Sequence, residues 1–352
     1  MIKINYIPTE YLFTCNLPSE VDITTDAASV NITVECDSNA VFNTTLYPFA
    51  NKVTLYDIRT IIENYILEHH RVYTDFIIFV ESKEENTHTS KSNVIYSRYN
   101  IDDVAASFYI QSSFLTTLSS YAIPRTGQQY LSYILFPEKN VNCYTECLVQ
   151  RKGEKTPEII TIKEEECLGA DKITLKALYV KPQQLLERMN VKGKLLSFTV
   201  HRGNLAKTFY VIDSIPNLTL LLRNEFNCPE YFSLTCVTKR KLDLDRSTAT
   251  SQGITTFYDD NSSYEYEVES SMLTYEEANR LSILLLSHDI EIIEGEDNNV
   301  PIIITDLSSE ISDADNATNS VKFKYKYAKN RFPVSLCYPS NIFSESFCRT
   351  FD

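Results

Sequence analysis

Five histidines, nine cysteines and 47 acidic residues are the groups of this 352-residue chain with the chemistry to hold a metal or move a proton. Their spacing does not gather them. The cysteines stand at 15, 36, 143, 147, 167, 228, 236, 337 and 348 without a C-x-x-C, and no histidine lies at ligand distance from Cys143/Cys147 or Cys228/Cys236, so zinc is not expected. Either pair could close a disulfide in an oxidising compartment. Without an apolar leader after Met1, the expectation is reduced and mostly buried thiols. His69 and His70 end a helical pattern, where imidazolium complements the helix dipole, and no third ligand accompanies them. The neighbours Asp102-Asp103 and Asp259-Asp260 read as turn or cap residues, since adjacent side chains do not flank one bond as glycosidase carboxylates do. Asp313-x-Asp315-Asn316 begins like a calcium loop. Thr318 then replaces its glycine and Lys324 its bidentate glutamate, so a loop connection is the better reading. The chain has no G-x-S-x-G, H-E-x-x-H, G-x-x-x-x-G-K-[ST] or G-x-G-x-x-G. The expectation is a protein that is not an enzyme and takes no cofactor and no metal.

Composition narrows the class further. A net charge of −14 opposes wrapping nucleic acid, and the basic run Lys239-Arg240-Lys241 is answered at once by Asp243 and Asp245, as on a solvated strand. No apolar run approaches the span of a bilayer. Only 7 glycines and no tryptophan, against 23 tyrosines and 18 phenylalanines, favour strands bearing aromatic side chains.

The elements follow from periodicity. The expected fold is mainly β, built of β-sandwich domains with a few short helices, in a multi-domain chain of the all-β or α+β class. Residues 1–125 read as short strands plus one helix over about 57–70, opened by Asp57 and striped by Ile58, Ile61, Ile62, Tyr65 and Ile66. Residues 126–216 give strands at sandwich spacing and a short helix opened by Pro182. Residues 217–334 hold alternating strands and a helix over about 275–287, where Thr274 and Glu277 form a capping box ahead of Ala278, Leu281, Leu284 and Leu285. Residues 335–352 read as an extended arm whose Phe343, Phe347 and Phe351 need a partner surface. Two strands alternate most clearly. Glu265, Glu267 and Glu269 face away from Tyr264, Tyr266 and Val268, and Lys322, Lys324 and Lys326 face away from Phe323, Tyr325 and Tyr327. The two rows are expected to oppose each other in one sheet, within the chain or across a subunit boundary; the alternative is that the Lys row guards an edge strand.

The segments Leu222-Arg223-Asn224-Glu225-Phe226-Asn227, Gly253-Ile254-Thr255-Thr256-Phe257-Tyr258-Asp259, Leu273-Thr274-Tyr275-Glu276-Glu277-Ala278 and Ile303-Ile304-Thr305-Asp306, taken together, resemble tail or baseplate proteins of the distal-tail type from phages and prophages of Bacteroidota. The resemblance is best over the last third of the chain. It implies a structural virion subunit, made in the bacterial host cytoplasm, that joins copies of itself in a ring such as a hexamer, and other tail proteins. It implies no catalytic residue, no membrane and no sequence-specific nucleic acid. A carbohydrate-binding or receptor-adhesin module of a tail tip is the alternative, on the analogy of sandwiches whose tyrosines stack on sugars.

Overall fold

The structure, a computed structural model, describes residues 2–6, 10–83, 88–99, 101, 104–118, 120–136, 141–164, 173–295, 298–313 and 318–329. The pairs at 102–103 and 315–316 and the arm with Phe343, Phe347 and Phe351 lie outside the described residues, as do the side chains of Asp259 and Asp260. Among the described residues the fold is mainly β, with four helices.

Alternation writes the first sheet. Strand Val30–Cys36 buries Val30, Ile32, Val34 and Cys36 and leaves the residues between them half-exposed, and Tyr73–Glu81 repeats the pattern. They are the inner strands of a five-stranded sheet, flanked by His88–Ile95 with Tyr11–Phe13 on one side and Asn39–Leu46 on the other. A three-stranded sheet (Lys3–Ile4, Glu20–Thr24, Lys52–Tyr56) and helix α1 (Ile58–Glu68) share its core through Ile23, Leu55, Ile58, Ile62 and Ile66. The expected Asp57 cap is not made. The Asp57 N–H donates to the Ser19 carbonyl at 3.0 Å and the residue takes φ +58°, a left-handed entry in which its side chain forms no cap hydrogen bond.

Helix α2 (Ala106–Ser112) leads into the middle sheet, whose order is Glu158–Lys163, Cys143–Arg151, Gly193–Arg202, Leu205–Ile212 and Ser120–Pro124. The last strand lies ahead of residue 125 in the chain, yet it pairs in parallel with Thr208–Ile212. Gln129–Leu135, paired with Thr174–Val180, shares this core together with helix α3 (Pro182–Met189). Phe198 and Phe209 stack at its centre, 4.7 Å apart. Gly193 faces Arg151 so closely that a Cβ would lie 2.4 Å from the Gln150 carbonyl oxygen.

The third unit is a seven-stranded sheet in the order Pro229–Leu234, Leu218–Arg223, Ile290–Ile293, Asn299–Glu310, Ser320–Tyr327, Ile254–Ser270 and Cys236–Ser251. Helix α4 (Tyr275–Leu284) covers one face with Ala278, Leu281 and Leu284, and the Thr274/Glu277 capping box forms in both directions. The last two strands outrun the sheet: only Tyr266–Glu269 pair with Ser320–Tyr327, while the hairpin ladder continues to Ser251 and Ile254. At ~3.3 Å per residue, the part beyond Glu265 reaches roughly 30 Å. Gln252 and Gly253, both at positive φ, close its tip as such two-residue turns require.

Among the described residues, Cys15, Cys36, Cys143, Cys147, Cys228 and Cys236 form no disulfide. Neither pair weighed above is bonded: Cys143 and Cys147 lie four residues apart along one strand, ~13 Å at strand rise and beyond disulfide reach. Burial pushes the thiols of Cys36, Cys147 and Cys228 up to about 12. At neutral pH these three should resist iodoacetamide in the native protein and label fully in urea, as peptide mass spectrometry would read; rapid native labelling of Cys228 would contradict this packing.

Candidate functional site

The densest chemistry of the molecule is a buried charge cluster at the meeting point of the sheets. Asn224, Glu225, Phe226 and Asn227 follow strand Leu218–Arg223 in a tight loop, Glu230 stands on the next strand, and Arg280 projects from α4 between Ala278 and Leu281. The side chains of Arg280, Glu225 and Glu230 are 2–3% exposed. Arg280 donates from Nε to Glu230 Oε1 at 3.0 Å and from Nη2 to Oε2, so its fork meets one carboxylate with both nitrogens. Its Nη1 donates to Glu225 Oε2 at 2.6 Å and to Thr117 Oγ1 at 3.2 Å.

The other lone pairs are consumed by backbone from different parts of the chain. Glu225 Oε1 accepts from the Thr117 N–H at 2.7 Å, and the Glu225 carbonyl accepts from the Arg98 N–H at 2.9 Å. Asn224 Nδ2 donates to the Leu115 carbonyl and to Glu230 Oε2, while its Oδ1 accepts from the Phe226 and Cys228 N–H groups. Asn227, at φ +59°, donates to the Arg71 carbonyl at 2.7 Å. Gln129 grips the edge strand Pro229–Leu234 by accepting from the Tyr231 N–H at 2.7 Å and donating to its carbonyl at 2.9 Å. Beside these polar contacts, Phe226 packs against Phe13 and Tyr109, at 6.0 and 5.4 Å between ring centres.

Burial, with Glu225 adding its negative charge, holds the Glu230 carboxyl above the ordinary glutamate value against the pull of Arg280. Burial also disfavours charge on Arg280, but Glu230 and Glu225 outweigh it and raise its pKa. Nearby Lys207 is lowered by its burial and donates Nζ to the Leu118 carbonyl. A cavity of about 210 Å³ opens beside the cluster between Tyr121, Gln129, Tyr231, Thr274 and Arg280. The carboxylates do not project into it as free groups, because each accepts from Arg280 and from a further donor. The arrangement therefore acts as a joint. Sequence reasoning missed Arg280, Glu225 and Glu230 as partners; the available signal was a lone arginine inside the apolar stripe of α4.

The six sequence-predicted strand residues are brought together within the chain. Glu267 faces Lys324 and Glu269 faces Lys322, with a 2.9 Å ion pair in the latter. Glu265 accepts from Thr305 Oγ1 at 3.1 Å, Lys324 pairs with Asp306 at 3.0 Å, and Lys326 donates to Ser263 at 3.4 Å. The Lys strand is internal to the sheet, so it guards no edge. Val268, Phe323 and Tyr325 are buried as the alternation requires, while Tyr264, Tyr266 and Tyr327 are half-buried near the sheet margin. Among the described residues no group of three or more His, Cys, Asp or Glu is placed to hold a metal.

No family model and no curated protein matches this chain. Among solved structures, a chain of the virion of a native gene transfer agent particle is similar over 31% of this chain and 91% of its own, at 13% identity and a TM-score of 0.21. A chain from work on host cell surface retention of a 1.5-MDa bacterial ice-binding adhesin is similar over 77% of this chain and 91% of its own, at 11% identity and a TM-score of 0.17. The likeness to a phage-like virion component is thus weak and partial. Both superpositions are too loose to transfer a site.

Removing one partner from a buried ion cluster strands the others. Arg280→Met should cost about 3–5 kcal/mol in urea unfolding, and adding Glu225→Gln and Glu230→Gln should recover part of it. An unpaired buried carboxyl has a raised folded pKa, so its stability is present below the ordinary glutamate value of 4.5 and is lost as pH rises through the folded value. The Arg280→Met deficit should accordingly shrink on acidification. A pH-independent deficit would mean that the carboxylates are not what the substitution strands.

Proposed function

We propose that this chain is a structural subunit of a phage tail or baseplate, associating through its β-rich surfaces into a symmetric ring that links the tail tube to tip or receptor-binding proteins. The projecting hairpin Cys236–Ser270 carries the reading. A two-stranded ribbon is marginal in water by itself, and this one leaves Leu242 51%, Leu244 47% and Ile254 67% exposed. Such an element is stabilised by a neighbour that covers it. Two further observations support a subunit with no catalytic step: the most deeply buried charges are committed to one another and to backbone across the sheets, and the segments resembling distal-tail proteins include this hairpin's tip and the loop at 222–227.

Electron microscopy of the purified protein, alone and with the other tail proteins of the same phage or prophage, tests the reading. Closed rings that incorporate into tail ends are the expected result. A chain that remains free of every tail component, at a solution mass showing no self-association, would sink it.

A further inference from the structure

The outer strand of the seven-stranded sheet, Cys236–Ser251, has one edge on Ile254–Ser270 and no strand on the other among the described residues. Part of that free edge is closed. Asn217 clamps Cys236, donating to its carbonyl at 2.7 Å and accepting from its N–H at 2.9 Å. At the far end the hairpin register shifts between Ser247 and Thr248, where the ladder is interrupted. The uninterrupted open edge is therefore Val237–Ser247, and its midpoint is Leu242.

About that midpoint the sequence is self-complementary. In an antiparallel pairing of two such strands with Leu242 facing its own copy, Lys241 stands opposite Asp243, Lys239 opposite position 245, an aspartate in the sequence, and Arg240 opposite Leu244. Either phase of an antiparallel ladder accepts a residue facing its symmetry mate. Lys239, Lys241 and Asp243 share the outward face, where charge already alternates across the sheet: Lys239 faces Glu267, Glu267 faces Lys324, and Lys324 faces Asp306. Lys241 and Asp243 of one strand already pair at 2.8 Å, so two copies would interleave into a four-charge group. The other face carries the exposed Leu242 and Leu244, which such a pairing would cover.

We propose that Val237–Ser247 is an isologous docking edge for a second copy of this chain, joining two seven-stranded sheets edge to edge about a two-fold axis at Leu242. Basic and acidic residues on an edge strand ordinarily deter pairing. Here a slip by two residues that keeps the same faces together sets Lys241 against its own copy or Asp243 against its own copy, whereas the register about Leu242 matches each Lys with an Asp, so the same charges select the partner. Repulsion between copies of net charge −14 is screened beyond about 10 Å at 0.1 M salt, leaving the contact pairs to decide.

Two charge variants test this contact independently of the proposed ring. One carries Lys239→Asp with Lys241→Asp, the other Asp243→Lys with Asp245→Lys, and circular dichroism checks their folds. By light scattering, the wild-type particle should have twice the mass of the particle formed by either variant, whether that smaller particle is a single chain or a ring. An equimolar mixture should regain the doubled mass, since the acidic strand then meets the basic one, and the quadruple swap should regain it alone. Recovery on mixing requires both variants to be folded. Equal masses for wild type and variants, or a mixture that stays apart, would overturn the proposal.

Discussion

Arg280 between Glu225 and Glu230 is the interaction to which the arrangement of this chain answers. Its guanidinium leaves water inside an apolar helix stripe, which is tolerable only where acceptors fill the fork geometry. Those acceptors come from a loop and a strand far from it in sequence, and the loop in turn takes backbone from Arg71, Arg98, Leu115 and Thr117. Replacing such a cluster by apolar groups of the same volume can stabilise a protein, so its contribution is better understood as specificity. The observed placement of α4, the 224–228 loop and the segment at 115–117 satisfies all these groups at once.

The same loop anchors apolar packing. Phe226 is fully buried between Phe13 and Tyr109, and the surrounding core draws Ile95 and Ile134 from strands of different sheets, Ile110 from α2, and Val72 and Leu115 from the connections between elements. Polar contacts hold the loop in this seam, and the rings of Phe13, Tyr109 and Phe226 pack beside them among aliphatic side chains. Helix α4 thus has two duties. Ala278, Leu281 and Leu284 cover their own sheet, and Arg280 ties that sheet to the rest.

Sheet margins are handled in two ways. Edge strand Pro229–Leu234 is closed by the Gln129 amide, which substitutes for a neighbouring strand at Tyr231, and Asn217 does the same at Cys236. Past Cys236 the outer strand carries charge of both signs on an open edge. An amide clamp ends pairing at a position; a charge pattern leaves pairing open to the partner that matches it.

The sequence by itself determined what depends on neighbours along the chain. Period-two alternation marked the strands that carry Glu265–Glu269 and Lys322–Lys326, a T-x-x-E marked the start of α4, and the matched Glu and Lys rows pointed to a shared sheet for residues 265–269 and 322–326. Asp57 was misread because its N–H meets the carbonyl of Ser19, in the bend ahead of strand Glu20–Thr24 and far off in sequence, and no local pattern carries that. The Arg280 cluster stayed hidden for the same reason: Arg280 lies 50 and 55 residues from its two carboxylates, and an arginine in a helix stripe looks the same whether water or two carboxylates receive it. Local periodicity decides which face a side chain takes; only tertiary packing decides what waits on that face, because desolvation is a property of the assembled surroundings and not of the residue.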